Sequence, residues 1–472
     1  MPPRANSTSF DHAVVLGGSI AGLLAARVLA NHFRRVTIVE RDDVTPDTLG
    51  RKGVPQGRHA HAILAWGLDN MERLFPGLRA DLIADGASPC DMARDFRWFQ
   101  HGVYKLPFQS GFEAVFMSRP LLEQHIRRRV WALPNVECLG GTSVDGLLTS
   151  MDRSSVTGVV VRPDRGDAAQ ATSLMADFVV DASGRGSRTP SRLRQLGYDA
   201  PPTSEVRVDI GYATRLYRRA DTGERPMGIL ISPVAPAERR VGVMLPLEGD
   251  RWILTLGGWH GDHAPTDEPG FNAFAQSLPA PDISRAIEAA EPLSDVMLHK
   301  LPSSLRHHYE RVTRFPDRFV VIGDAIASFN PVYGQGMTSA TLQALELDAA
   351  LQRHAARRTL DGIWKDFFRR AAKVVDIPGQ VTVGEDFRFP ETQGKRPPLV
   401  HAINAYVAGV QRAAAIDAEV ALAFLAVMNL QKSPLSIFAP RIVFRTWRAL
   451  RARPLPTART GAVAEMLASS LR

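Results

Sequence analysis

The segment that most narrows the folds open to this chain is Gly17-Gly18-Ser19-Ile20-Ala21-Gly22. It lies between the β-branched run Ala13–Leu16 and an Ala/Leu-rich stretch reaching about Asn31. A second strand-like run, Val36-Thr37-Ile38-Val39, ends at Glu40. Strand, glycine turn, helix, strand and acid within roughly 30 residues predict a βαβ unit. The turn is an imperfect GxGxxG with Ser19 at the middle glycine position. A tight turn, a backbone approaching a pyrophosphate and close helix–strand packing each exclude bulky side chains. Gly17, Gly18, Ser19, Ala21 and Gly22 are therefore candidates to present a helix N-terminus to phosphates. Glu40, 18 residues past Gly22, stands where a carboxylate accepts both hydroxyls of an adenosine ribose, and Arg41 beside it is grouped with that site.

Further along, a helical period runs from His61 to about Leu78, and Ser118 is placed to cap a helix from Pro120 to about Ala132. Gly158–Arg162 and Phe178–Asp181 read as strands with a hairpin tip at 164–170 between them. Strict alternation follows in Val206, Val208, Ile210, Tyr212, Thr214 and Leu216. With Met227–Pro233, Arg240–Leu245 and Trp252–Gly257 this predicts an antiparallel sheet, different in kind from the N-terminal unit. A buried strand at Phe319–Ile322 precedes Gly323-Asp324, and a glycine loop at 331–336 leads into a helix from Met337 to about Ala356. Beyond it the chain reads as helical, with breaks expected at Pro378, Pro397-Pro398 and Pro434.

Three motifs in this order resemble the FAD-dependent monooxygenases of the para-hydroxybenzoate hydroxylase type. They are GGSIAG with Glu40, the stretch Asp181-Ala182-Ser183-Gly184-Arg185-Gly186-Ser187, and Gly323-Asp324-Ala325 with Pro331-Val332-Tyr333-Gly334-Gln335-Gly336-Met337. Arg119 falls where that family places an arginine on the flavin's phosphate and ribityl side. The resemblance implies that Asp324 accepts from ribityl hydroxyls and that Gly334 and Gly336 let the backbone pass the isoalloxazine edge. It also implies that the helix opening at Met337 points its positive end at the flavin. Ser183 stands where the family has Asp, and Pro190 where a trailing Arg is usual. No second GxGxxG follows a strand, so no separate domain for NAD(P)H, the implied reductant, is visible. The Trp-x-Trp-x-Ile-Pro motif of the halogenase branch has no match.

Residues 51–61 (RKGVPQGRHAH), taken with the late glycine loop, look like bacterial epoxidases acting on polyene precursors of polyether natural products. His59 and His61 alternate as on an extended segment without a recognisable third ligand, so no metal is expected. They either brace the loop beside the flavin or belong to a plain surface loop. Phe96, Trp98, Phe99, Tyr104, Phe108, Phe112 and Phe116, with Tyr212, Trp252 and Trp259, read first as core and second as the apolar wall of a dry site. No acid/base pair or nucleophile stands out, and no catalytic side chain is named, because the cofactor carries the chemistry.

The implied architecture is α/β, a Rossmann-like FAD-binding domain with a mixed or antiparallel-sheet substrate domain and a C-terminal helical segment. The expected division is 1–85, 115–200 and 310–345 for FAD, 86–114 and 201–309 for substrate, and 346–472 for the helices. The implied reaction uses O2 to epoxidise an alkene of an apolar small molecule, a polyketide or terpenoid-like natural product. Aromatic hydroxylation and an oxygen-independent prenyl reductase are the enzymatic alternatives, and a basic flavin-containing binding protein is the non-enzymatic one.

The net charge of +8 comes mostly from scattered arginines, so no nucleic-acid partner is expected. Between Val420 and Ala464 there is no acid, while Lys432, Arg441, Arg445, Arg448, Arg451, Arg453 and Arg459 are basic. A solvated face is the first reading of that run, and contact with phosphates or an anionic membrane surface the second. Two cysteines, Cys90 and Cys138, exclude a disulfide scaffold and read as reduced, buried thiols. No signal-peptide pattern and no membrane-length apolar run is seen, so a cytoplasmic location is expected.

Overall fold

The computed structural model describes residues 10–452 apart from 52, 165–169 and 220–226. A parallel sheet of five strands forms one half, in the order Phe319–Val321, Phe178–Asp181, Phe10–Leu16, Phe33–Val39 and Val136–Leu139. Strand Phe10–Leu16 is central, which is why Ala13–Leu16 is apolar at every position: both faces are covered. The helix Ile20–Leu29 follows the glycine turn and is buried on nearly every side. It packs on the sheet and on the long helix Gly336–Arg357. A three-stranded antiparallel sheet, Thr142–Thr149, Val156–Pro163 and Thr172–Met175, packs its valines into the same core.

That arrangement corrects the expected hairpin. The partner of Val156–Pro163 is Thr172–Met175, whereas Phe178–Asp181 enters the parallel sheet beside Phe10–Leu16. The expected tip falls mostly in residues outside those described. Phe178–Asp181 is buried throughout, and a continuous apolar run is the mark of a parallel strand rather than a hairpin arm.

The other half is a nine-stranded mixed sheet. Its longest strand, Thr203–Arg218, pairs antiparallel with Arg251–Gly258 and Met297–His307. A bulge between Arg207 and Ile210, with Asp209 at φ +38°, re-phases the alternation. Gly228–Ile231 pairs antiparallel with Arg240–Leu247 but parallel with Phe96–Gln100. One face of this sheet, carrying Ala213, Leu254 and Leu256, packs on the helices Glu268–Gln276 and Asp282–Glu288. The opposite face carries Phe96, Trp98, Leu245 and Ile253 and meets the helices Val400–Ala413 and Ala418–Met428.

Two helical expectations also change. The period from His61 to Leu78 resolves into Ala65–Leu74 and Leu78–Ala84, parted by Pro76-Gly77. Pro378 does not break its helix, which runs Ile363–Asp386 with the proline ring buried inside it. Ser118 caps Arg119–Trp131 as expected, its hydroxyl accepting from the Leu121 N–H at 3.2 Å. Neither cysteine is in a disulfide; Cys90 is buried and Cys138 half-buried. No helix among the described residues is long and apolar enough to cross a membrane.

Candidate functional site

The glycine turn is shaped by clashes that side chains would create. Gly17 has φ +101°, and a Cβ there would stand 2.9 Å from the Ala182 carbonyl oxygen. A Cβ on Gly22 would stand 1.8 Å from the Gly17 carbonyl oxygen, so helix and strand approach only because Gly22 lacks one. Gly18 donates its N–H to Glu40 Oε2 at 2.7 Å, and Asp42 donates to Glu40 Oε1 at 2.9 Å. The Glu40 carboxylate thus fixes the turn and the end of its own strand. Ser19 makes no capping bond within its helix. Its hydroxyl accepts from Arg119 Nη2 at 3.1 Å and donates to Glu123 Oε2 at 3.3 Å. Ala21 faces Gly323, which reaches it in a left-handed conformation at φ +71°. Arg41 points away, to the Gly53 carbonyl at the exposed edge of the loop.

Arg51 is a functional candidate the sequence reading missed. It lies in the stretch 51–61, but nothing in its spacing sends it inward. Its side chain is only 2% exposed and bridges Glu40 at 3.0 Å and Glu123 at 2.7 Å. Its nitrogens make no well-aligned hydrogen bond, and Arg119 Nε and Arg185 Nη1 are likewise buried without a hydrogen-bond partner, although Arg119 Nε stands 3.9 Å from Glu123 Oε2. These unsatisfied cationic donors border a cleft of about 250 Å³ lined by Arg51, Arg58, Arg119 and Glu123, or stand beside Asp324. Buried donors in this condition normally have partners, so the cluster fits an anionic ligand.

Asp324, half-buried just after strand Phe319–Val321, lies within the field of Arg119 and Arg185. Burial raises its pKa, opposed by the positive charges of Arg119 and Arg185. His59 and His61 brace the neighbouring loop. His59 Nδ1 is 2.8 Å from Thr214 Oγ1, and His61 Nε2 is 2.6 Å from the Gln56 carbonyl. Burial brings His59 down to about 4 and His61 to about 3, so both are neutral at pH 7. His59, Tyr212 and His299 pack ring against ring, with centroids 4.9 to 5.5 Å apart.

The late loop makes a different kind of opening. Gly334 adopts φ +65° with only the Ala62 carbonyl, at 3.9 Å, within reach of a Cβ, and a Cβ on Gly336 would meet nothing within 4 Å. Met337 is buried in the first turn of the helix Gly336–Arg357, which follows this loop directly. Ala62 and Gly334 also line a cavity of about 820 Å³ between the large sheet and the C-terminal helices. Phe96, Trp98, Phe116, Leu230 and Phe424 form much of its apolar wall. Strand Phe96–Gln100 explains the split among the aromatic residues. Phe96 and Trp98 point into the cavity, while Phe99 meets Tyr104 edge to face on the opposite face. Trp259 is also off the cavity, its indole N–H donating to Asp386.

The carboxylates on the cavity wall are paired, Glu385 with Arg388 at 2.7 Å, Glu205 with Arg207 at 3.6 Å and Asp376 with Arg306, while Lys395 stands exposed at the lining. Behind the wall, Asp386 is fully buried. Its Oδ1 accepts from Asn330 at 2.9 Å, Trp259 at 3.2 Å and Tyr333 at 3.4 Å, and its Oδ2 has no partner. Burial lifts this carboxyl to about 7 against those three donors. Asp386 therefore ties the end of one helix to Asn330 and Tyr333 of the glycine loop. It lies 50 residues beyond Gly336, and no motif marks it.

Comparison with known proteins adds an independent line. The FAD binding domain family matches residues 11–376. Protein Rv3254 of Mycobacterium tuberculosis is 36% identical over 352 residues, 72% of this chain and 73% of its own length. A kynurenine 3-monooxygenase of Salinispora arenicola is 28% identical over 356 residues, 74% of each chain. Among solved structures, the flavin-dependent brominase Bmp2 superposes with a TM-score of 0.65 over 93% of this chain and 98% of its own. At 13% identity that is a likeness of fold.

Proposed function

The chain belongs to the FAD binding domain family as a flavin-dependent monooxygenase, and on that premise we propose that it epoxidises an alkene of an elongated apolar substrate held in the 820 Å³ cavity. FAD, reduced by NAD(P)H, supplies the activation of O2 when bound. Gly17, Gly18, Ser19, Ala21 and Gly22 would hold its pyrophosphate, with Arg119, whose Nε lacks a hydrogen-bond partner, and Arg51, ion-paired to Glu40 and Glu123, beside the phosphates. Glu40 would take the ribose hydroxyls on the lone pairs left beside its two backbone bonds, with Arg41 at the rim. Asp324 would take the ribityl hydroxyls, and Gly334, Gly336 and Met337 would border the ring.

The observation that carries this reading is the continuity of Ala62 and Gly334 with a large apolar cavity whose wall carboxylates Glu205, Asp376 and Glu385 are each paired with an arginine. Oxygen transfer to an alkene requires positioning and exclusion of water, with no proton taken from the substrate. The wall supplies both. Aromatic hydroxylation has one observation in its favour: Tyr333 lines the cavity with Asp386 behind it, a pair able to accept a phenolic proton.

Purified enzyme with NAD(P)H and air is expected to consume O2 stoichiometrically with a long polyene and only uncoupled with phenols. Coupled turnover of phenols alone would establish hydroxylation instead, and substrate reduction without O2 uptake would establish the reductase.

A further inference from the structure

Large apolar side chains are not spread evenly over the surface. Of the fourteen that are exposed among the described residues, eight fall between Leu399 and Leu450. They form one region. Leu435, 74% exposed, Phe438, 39%, and Ile403 also line the outer end of the cavity and so make its mouth. The helix Pro440–Ala452 follows immediately. It turns Thr446 and Ala449 inward and leaves Val443, Phe444, Trp447 and Leu450 outward as a stripe at helical spacing. Phe444 is 58% and Trp447 49% exposed. Contiguous apolar surface of this kind marks a place where something else sits.

Charge narrows what that is. From Val420 to Ala452 there is no acidic residue, and five are basic. Arg441 and Arg445 pair with Glu419 and Asp417, but Arg448 is exposed, and Arg451 lies over the Trp447 ring at 4.2 Å. An outward stripe of aromatic and aliphatic groups edged by arginines is the pattern of a helix lying in a membrane interface. Anionic headgroups complement the arginines, and the acyl boundary takes the stripe.

We propose that this face docks on an anionic phospholipid bilayer, with the mouth at Ile403, Leu435 and Phe438 opening toward the acyl phase. An apolar substrate would then pass from lipid into the cavity without crossing water. This last step rests on the cavity being the substrate site, whereas docking itself does not.

The test is co-sedimentation of the full-length, flavin-loaded protein with phosphatidylcholine vesicles, with and without phosphatidylglycerol. Binding is expected only with phosphatidylglycerol and should fall at least about tenfold between about 0.1 and about 1 M salt, as the screening length shortens. Phe444→Ser with Trp447→Ser, both outside the cavity wall, should abolish it while flavin content stays unchanged. Three results would overturn the proposal. One is no binding to anionic vesicles. Another is binding only after residues 455–472 are removed, which would mean that segment covers the stripe. The third is a stable dimer that the same double variant dissociates. Vesicle binding without turnover of any apolar alkene would leave docking standing and remove the epoxidase reading alone.

Discussion

Two kinds of glycine occupy the site, and they separate what the fold needs from what a ligand needs. Gly22 is required by the protein itself, since a Cβ would stand 1.8 Å from a backbone oxygen. Gly336 is exposed, and apart from its own helix and chain neighbours no protein atom lies within 4 Å of that position, so the fold itself does not require a glycine there. Gly22→Ala is expected to destabilise the apoprotein by about 2–3 kcal/mol or prevent folding. Gly336→Ala should stay within about 0.5 kcal/mol of wild type yet lose flavin. Melting curves of the apoprotein and the visible flavin absorbance after reconstitution measure the two effects; full flavin retention in Gly336→Ala would refute the second. The carboxylates divide similarly. Asp324→Asn should lower flavin occupancy several-fold with an unchanged melting temperature. Glu40→Gln should lower both, by about 1–3 kcal/mol for the stability, because Arg51 and the Gly18 and Asp42 amides lose a charged acceptor. Reconstitution titrations monitored beside thermal melts would distinguish these outcomes.

At the scale of elements, what could be read in the sequence followed from local signals. The first βαβ unit was legible because glycine turn, apolar helix and acid fall within one short window, and the Ser118 cap because its neighbours are adjacent in the chain. The partner of Val156–Pro163 was not, since strand pairing is a long-range choice that periodicity cannot make. Pro378 misled because a proline inside a buried helix can be held by tertiary packing around it. Asp386 was silent for the same reason: its partners Trp259, Asn330 and Tyr333 come from three distant segments. It makes a pH prediction. An aspartate near 3.9 when unfolded and about 7 when folded binds an extra proton in the folded state between those values. Its contribution is full below about pH 4 and is lost as pH rises through about 7. Asp386→Asn should remove that dependence, so wild type should lose about 2–3 kcal/mol relative to the variant between pH 5 and 8. Chemical denaturation at both values measures it; parallel losses in the two proteins would show that the carboxyl is not so perturbed.

For the whole molecule, the sequence carried the class of cofactor, while the cavity belongs to the fold. Its walls come from strand Phe96–Gln100, the glycine loop and Phe424 of the C-terminal helices, over 300 residues apart. No motif could announce that surface, only the packing of one sheet face against late helices. Its position makes the central claim testable with one labelled gas. Turnover of a polyene under 18O2 with NAD(P)H should place one labelled oxygen atom in each product molecule, as an epoxide, with the second appearing in water. Product without label, or turnover that continues under nitrogen, would contradict the account.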